Sequence, residues 1–208
     1  KIGSGDAVSV TAAKGDIHVG GFDAGTPPTA VEGKVWGGTA VSLEATEGNV
    51  AVEAGEVFAK AGNVTVTAGK SVAVAGTVEA EAGTVTLTAN AKGGLTSDEA
   101  AAVNAVAGAG TVAAGDAGVI VSGTVLGDKG VTVEAKGAAG SAIVKGGTVL
   151  AGDVNTAKPE ETTAQNGVAL TVTAAKDVLV AGGGKVASSG AADLTATAGD
   201  LTVNGGSQ

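Results

Sequence analysis

The chain has 208 residues, a net charge of −9 and 44% hydrophobic residues, nearly all of them Ala, Val and Leu. All 12 basic residues are Lys and they form no stripe, which excludes the concentrated cationic surface that nucleic acid or anionic lipid requires. Cys and Met are absent, so disulfides, thiolate metal sites and Cys nucleophiles are excluded, and with no run of 18 apolar residues the chain is expected not to span a membrane.

The core must be narrow. There is one Trp, Trp36, with two Phe and no Tyr. A compact globule of this size fills a wide interior with aromatics and Leu, whereas small side chains suit the inside of a thin β-coil. The 37 Gly fall mostly between β-branched triplets, where corners are needed.

In chain order, the elements repeat one pattern, apolar-x-apolar-x-Ala. It opens at Val8-Ser-Val10-Thr-Ala12, followed by Ile17-His-Val19. Each copy reads as a short strand with apolar residues on one side and Ser, Thr or Glu on the other. Residues 20–38, with Pro27-Pro28 and Trp36, read as an insertion. Val41-Ser-Leu43-Glu-Ala45 then leads to Val50-Ala-Val52 and Val57-Phe-Ala59, and Val64-Thr-Val66-Thr-Ala68 leads to Val72-Ala-Val74 and Val78-Glu-Ala80.

After Val85-Thr-Leu87-Thr-Ala89 comes a second insertion, 90–110. Thr96 and Glu99 stand at a capping-box spacing before an Ala-rich run, which predicts a short helix near 97–107. A weaker copy begins at Val112, with Asp116 in place of Ala, and continues through Val119-Ile-Val121 and Val125-Leu126. Val131-Thr-Val133-Glu-Ala135 follows, and then a polar excursion at 152–167. The pattern closes with Leu170-Thr-Val172-Thr-Ala174, Val178-Leu-Val180, Val186-Ala187 and Leu194-Thr-Ala196-Thr-Ala198.

Where no insertion intervenes, successive copies start roughly 19–24 residues apart, the length of a solenoid turn. The expectation is an all-β, single-domain parallel β-helix over 1–208, with about eight coils of three strands and a body of roughly 40 Å. Strand spacing wanders between 6 and 9 residues, looser than the six-residue period of left-handed hexapeptide helices, which favours the right-handed form.

Stretches such as Gly62-Asn-Val-Thr-Val-Thr-Ala-Gly-Lys-Ser-Val-Ala-Val-Ala-Gly-Thr-Val-Glu-Ala80 and Val168-Ala-Leu-Thr-Val-Thr-Ala-Ala-Lys-Asp-Val-Leu-Val180 resemble the filamentous-haemagglutinin type of secreted bacterial β-helix. The resemblance covers about three quarters of the chain and implies an exported surface rod, often an adhesin. It carries no receptor-binding residue over to this chain.

Three chemistries can be set against the residues. The outward positions of the repeated strand give two hydroxyl rows. One reads Ser9, Ser42, Thr65, Thr86, Thr132, Thr171, Thr195, and the other Thr11, Glu44, Thr67, Thr88, Glu134, Thr173, Thr197. Such an array suits a flat ice-binding face, but Thr also simply favours parallel sheet surface, and Glu44 and Glu134 interrupt the template. A carbohydrate-cleaving site needs clustered carboxylates in a groove lined by aromatics. Arg and Tyr are absent, Trp36 stands alone, and Glu79 with Glu81 reads as solvated surface. His18 reads as surface, and no calcium-binding or other metal pattern occurs, so no catalytic, metal or cofactor site is expected.

The ends supply the remaining clue. The first strand begins by residue 8 and the last motif ends near Val203, with no amphipathic capping helix at either end. The start at Lys1 instead of Met reads as a processed or excised form, and the bare ends read either as a slice of a longer rod or as ends covered by another subunit. Uncapped coils expose apolar core and unpaired backbone. The expected working surfaces are Val8, Val10 and Ile17 at one end and Leu194, Leu201 and Val203 at the other, with Trp36 in lateral contacts. The expected function is a non-enzymatic subunit of an extracellular filament, sheath or surface appendage, built as a head-to-tail homopolymer. Two alternatives stay open. One is an adhesin shaft presenting residues 20–38 and 152–167 to glycan or a host surface, and the other is an ice-binding protein.

Overall fold

A computed structural model describes residues 1–22, 30–90, 117–152 and 167–204. The first coil holds β1 (Ile2–Ser4), β2 (Val8–Ala12) and β3 (Ile17–Val19), and a short antiparallel pair, β4 (Gly21–Phe22) and β5 (Ala30–Val31), leaves it. The second coil holds β6 (Lys34–Gly37), β7 (Val41–Ala45) and β8 (Val50–Val52), and the third β9 (Glu56–Ala59), β10 (Val64–Ala68) and β11 (Val72–Val74). The fourth holds β12 (Thr77–Ala80), β13 (Thr84–Ala89) and β14 (Ala117–Val121), and the fifth β15 (Thr124–Gly127), β16 (Gly130–Ala135) and β17 (Gly140–Lys145). The sixth holds β18 (Thr148–Ala151), β19 (Leu170–Ala174) and β20 (Val178–Ala181), and the seventh β21 (Lys185–Ser188), β22 (Ala192–Ala196) and β23 (Leu201–Val203).

These strands stack into three parallel seven-stranded sheets: a first face β1-β6-β9-β12-β15-β18-β21, a second face from β2 to β22 and a third from β3 to β23. The fold is therefore an all-β parallel solenoid. It has seven described coils where the sequence suggested about eight. The strand at Val85 pairs directly with that at Val131 in the second face, and the copy expected at Val112 lies outside the described residues. The helix expected at 97–107 lies outside the described residues, as does most of the 90–110 and 152–167 insertions. The 20–38 insertion is shorter than expected, because residues 34–37 form β6 in the ladder and carry Trp36 with them. The first coil gains β1, hidden from pattern reading because Ile2-Gly3-Ser4 holds a single apolar side chain.

Alternation places the core. On the second face the inward columns are Val8, Val41, Val64, Val85, Val131, Leu170 and Ala192, then Val10, Leu43, Val66, Leu87, Val133, Val172 and Leu194. A third column is Ala throughout: Ala12, Ala45, Ala68, Ala89, Ala135, Ala174, Ala196. It stands where the strand runs into a corner and only a methyl group fits the narrowing interior. Val41, Leu43, Val64, Val66, Val85 and Leu87 are buried almost completely. Each such side chain contributes about 1.5–3 kcal/mol over leaving it in water.

Corners are set by close backbone approach between coils. Gly33, Gly55, Gly76, Gly123, Gly147 and Gly184 each precede a first-face strand. A Cβ on Gly76 would overlap the Gly55 carbonyl oxygen, and one on Gly123 the Gly76 carbonyl oxygen. The corner before the third face carries a polar ladder instead. Asn49 donates its backbone N–H to Asp16 Oδ1 at 2.7 Å, Ser71 donates to Asn49 Oδ1 at 3.1 Å, and Gly118 donates to Ser71 Oγ at 3.1 Å.

Candidate functional site: outward columns and coil ends

The ladders put the hydroxyl rows side by side on the second face, with one correction. Thr65 faces Thr86 and Thr67 faces Thr88, and Thr171 and Thr173 continue the rows. In the last coil, however, Asp193 pairs with Thr171 and Thr195 pairs with Thr173. Thr195 thus belongs to the second row, and Thr197 lies beyond the strand in the corner. The Ala column sets this register: Ala196, not Ala198, stacks on Ala174. The rows do not form a uniform hydroxyl face. Glu44 and Glu134 stand in the second row, Glu134 accepts from Thr88 Oγ1 at 3.5 Å, and Lys136 closes on Glu134 at 3.0 Å.

The other two faces turn apolar side chains outward. On the first face the outward column reads Gly3, Trp36, Phe58, Glu79, Leu126, Leu150, Ala187. Trp36 is half-buried in this column beside Phe58, not displayed on a loop. Glu79 sits between Phe58 and Leu126, and Glu81 falls past the strand end. On the third face the outward column reads His18, Ala51, Ala73, Ile120, Ile143, Leu179, Thr202. Ile120 and Ile143 are 1% and 8% exposed despite this outward register, so the outer side of the face is shielded around its middle coils. Sequence reading missed this stripe. The unbroken apolar triplets Val119-Ile-Val121 and Ala142-Ile-Val144 were the available signal, because a strand buried on both sides loses its alternation.

Charged side chains close on one another. His18, expected to be a lone surface residue, meets Glu53 with its Nδ1 2.9 Å from Oε1. Lys34 donates to both Glu56 carboxylate oxygens at 2.9 and 2.8 Å and lies 5.9 Å from the Phe58 ring centroid. Glu53 and the Lys34–Glu56 pair line a shallow groove of about 400 Å³ at the corner leading to the first face, together with Glu32, Gly55, Gly76 and Thr77. Of its three acids, Glu32, Glu53 and Glu56, the second meets His18 and the third meets Lys34. Among the described residues no helix is long and apolar enough to cross a membrane.

The coil ends differ from each other. At the far end Leu201 and Val203 are 51% and 62% exposed, and Leu194 is half-buried. At the near end Ile2 is 51% exposed, whereas Val8 and Ile17 are buried and Val10 is half-buried. The outer edges of β1–β3 and of β21–β23 pair with no described strand.

Fold and site together define a parallel β-solenoid with open strand edges at both ends of its described body. No protein-family model matches the chain, and neither a curated protein nor a solved structure matches it.

Proposed function

We propose that the chain is a non-enzymatic structural subunit of an extracellular filament, sheath or surface appendage, assembled head to tail through its coil ends. One observation carries the reading: the last coil leaves Leu201 and Val203 more than half exposed beside a row of strand edges that pair with no described strand. An uncovered strand edge is a template for further pairing. Because the two ends of a solenoid are different surfaces, their contact is heterologous and propagates into a filament. The repeat resemblance to secreted bacterial β-helices and the sulfur-free composition favour an exported, long-lived rod at the cell surface.

Negative-stain microscopy tests it. The chain is expected to form rods whose length grows with concentration. Val10→Lys or Leu201→Lys is expected to block rod formation while the monomer still melts cooperatively. Unaltered rods from both variants contradict the reading. A chain that stays monomeric at high concentration yet binds glycan supports the adhesin alternative instead, and thermal hysteresis supports ice binding.

A further inference from the structure

We infer that copies of this chain join by seating the first coil of one on the last coil of another, in the register that stacks the coils inside the chain. The inference rests on the filament reading and specifies its joint. Three observations carry it.

The first is congruence. Followed through all three ladders, Ile2 corresponds to Val186, Val8 to Ala192, Ile17 to Leu201 and Val19 to Val203. Residues 2–19 map onto 186–203 one for one, with no residue inserted or omitted. Both coils turn through corners of equal length, Gly5–Ala7 against Ser189–Ala191 and Ala13–Asp16 against Thr197–Asp200. Interior coils do not all share this contour: the third has Lys60–Asn63 and Gly69–Ser71 at the same two corners.

The second is the polar corner. Asp16 Oδ1 accepts the N–H of Asn49 one coil on, and Asp177 Oδ1 accepts the N–H of Asp200 at 2.9 Å. Among the described residues nothing donates to the Asp200 carboxylate, and the Asp16 N–H meets no acceptor. Stacked in register, the Asp200 carboxylate of one copy receives the Asp16 N–H of the next.

The third is Gly5. A Cβ on Gly38, its counterpart one coil on, would overlap the Gly5 carbonyl oxygen. A Cβ on Gly5 itself meets nothing within 4 Å, and Gly5 has no positive φ that demands glycine. Gly15 also meets nothing, but its φ of 92° accounts for it. No neighbour among the described residues demands glycine at position 5, whereas a further coil beneath it in the Gly38-on-Gly5 geometry would. The equivalent contact across the joint is with the backbone at Ser189. Val8 and Ile17 are already only 7% exposed, so edge pairing, Ile2, Leu201 and Val203 carry the joint more than the near-end core does.

The absence of Cys allows a direct test on the full chain. Ser9→Cys with Asp193→Cys places two outward thiols on neighbouring strands across the joint, at about 4.8 Å, within the span a disulfide bridges. Ser9→Cys with Thr195→Cys is two residues out of register and beyond the roughly 7 Å limit. Under mild oxidation the first pair is expected to give a ladder of covalent multimers and the second to give few. Gly5→Ala is expected to raise the concentration needed for rod formation about tenfold or more, a change of about 1.4 kcal/mol. Its monomer melting point stays the same or rises slightly, because a Gly-to-Ala change at a compatible backbone restricts the unfolded chain. Rods that cross-link through the Thr195 pair or through neither, or that form as readily with Gly5→Ala, overturn the register and leave the filament reading standing. A chain that forms no rods overturns both.

Discussion

Asn49 ties two coils together through one side chain. It is 7% exposed, its Nδ2 lies 3.2 Å from Asp16 Oδ1, and its Oδ1 accepts the Ser71 N–H. Asn49→Ala removes the acceptor of the buried Ser71 N–H and one of the two donors to Asp16 Oδ1, whose bond from the residue 49 backbone N–H remains, and the orphaned N–H costs about 1–3 kcal/mol. Asn63 makes the analogous bond to the Thr84 N–H at an exposed corner, where water replaces the lost acceptor. Urea unfolding of Asn49→Ala and Asn63→Ala is expected to show the larger loss for Asn49. Equal losses contradict the burial argument. Neither residue's bond is visible in the sequence. Their partners lie 22 and 21 positions away, beyond the reach of any local pattern, and so did the pairing of His18 with Glu53.

At the scale of the element, strands were legible where alternation was strong. Val64–Ala68, Val72–Val74 and Thr77–Ala80 follow one another as the sequence suggested, because β-branched residues alternate with Thr or Glu and Gly marks the corners. Alternation fixes the face but not the starting residue, so the last strand was read two positions late. Leu194-Thr-Ala196-Thr-Ala198 matches the motif as well as Ala192–Ala196 does locally, and only the stacked Ala column decides. The corner column of glycines is the element-scale feature most open to test. Gly76→Val drives a branched side chain into the Gly55 carbonyl and is expected to destabilise the fold by about 1–3 kcal/mol in thermal unfolding. A neutral outcome removes close coil approach as the reason for glycine there.

The described residues build seven layers, each roofing the apolar columns of the one beneath. Repetition made this architecture readable, since one supersecondary unit cannot bury its apolar face alone. The number of layers was less readable, because an insertion between β13 and β14 looked like an extra turn. The candidate joint was half legible. Leu201 and Val203 were named from their position and are exposed, while Val8 and Ile17 were named on the same grounds and are buried. The congruence of the first and last coils emerges only when the ladders are followed from end to end. Fibre diffraction or helical reconstruction of the rods reads the stacking across the joint. Seven coils stacked without interruption across the joint give a meridional spacing of about 4.8 Å and an axial rise per subunit of about 34 Å. A rise that departs from seven strand spacings, or rods with no 4.8 Å repeat along their axis, contradicts continuous stacking.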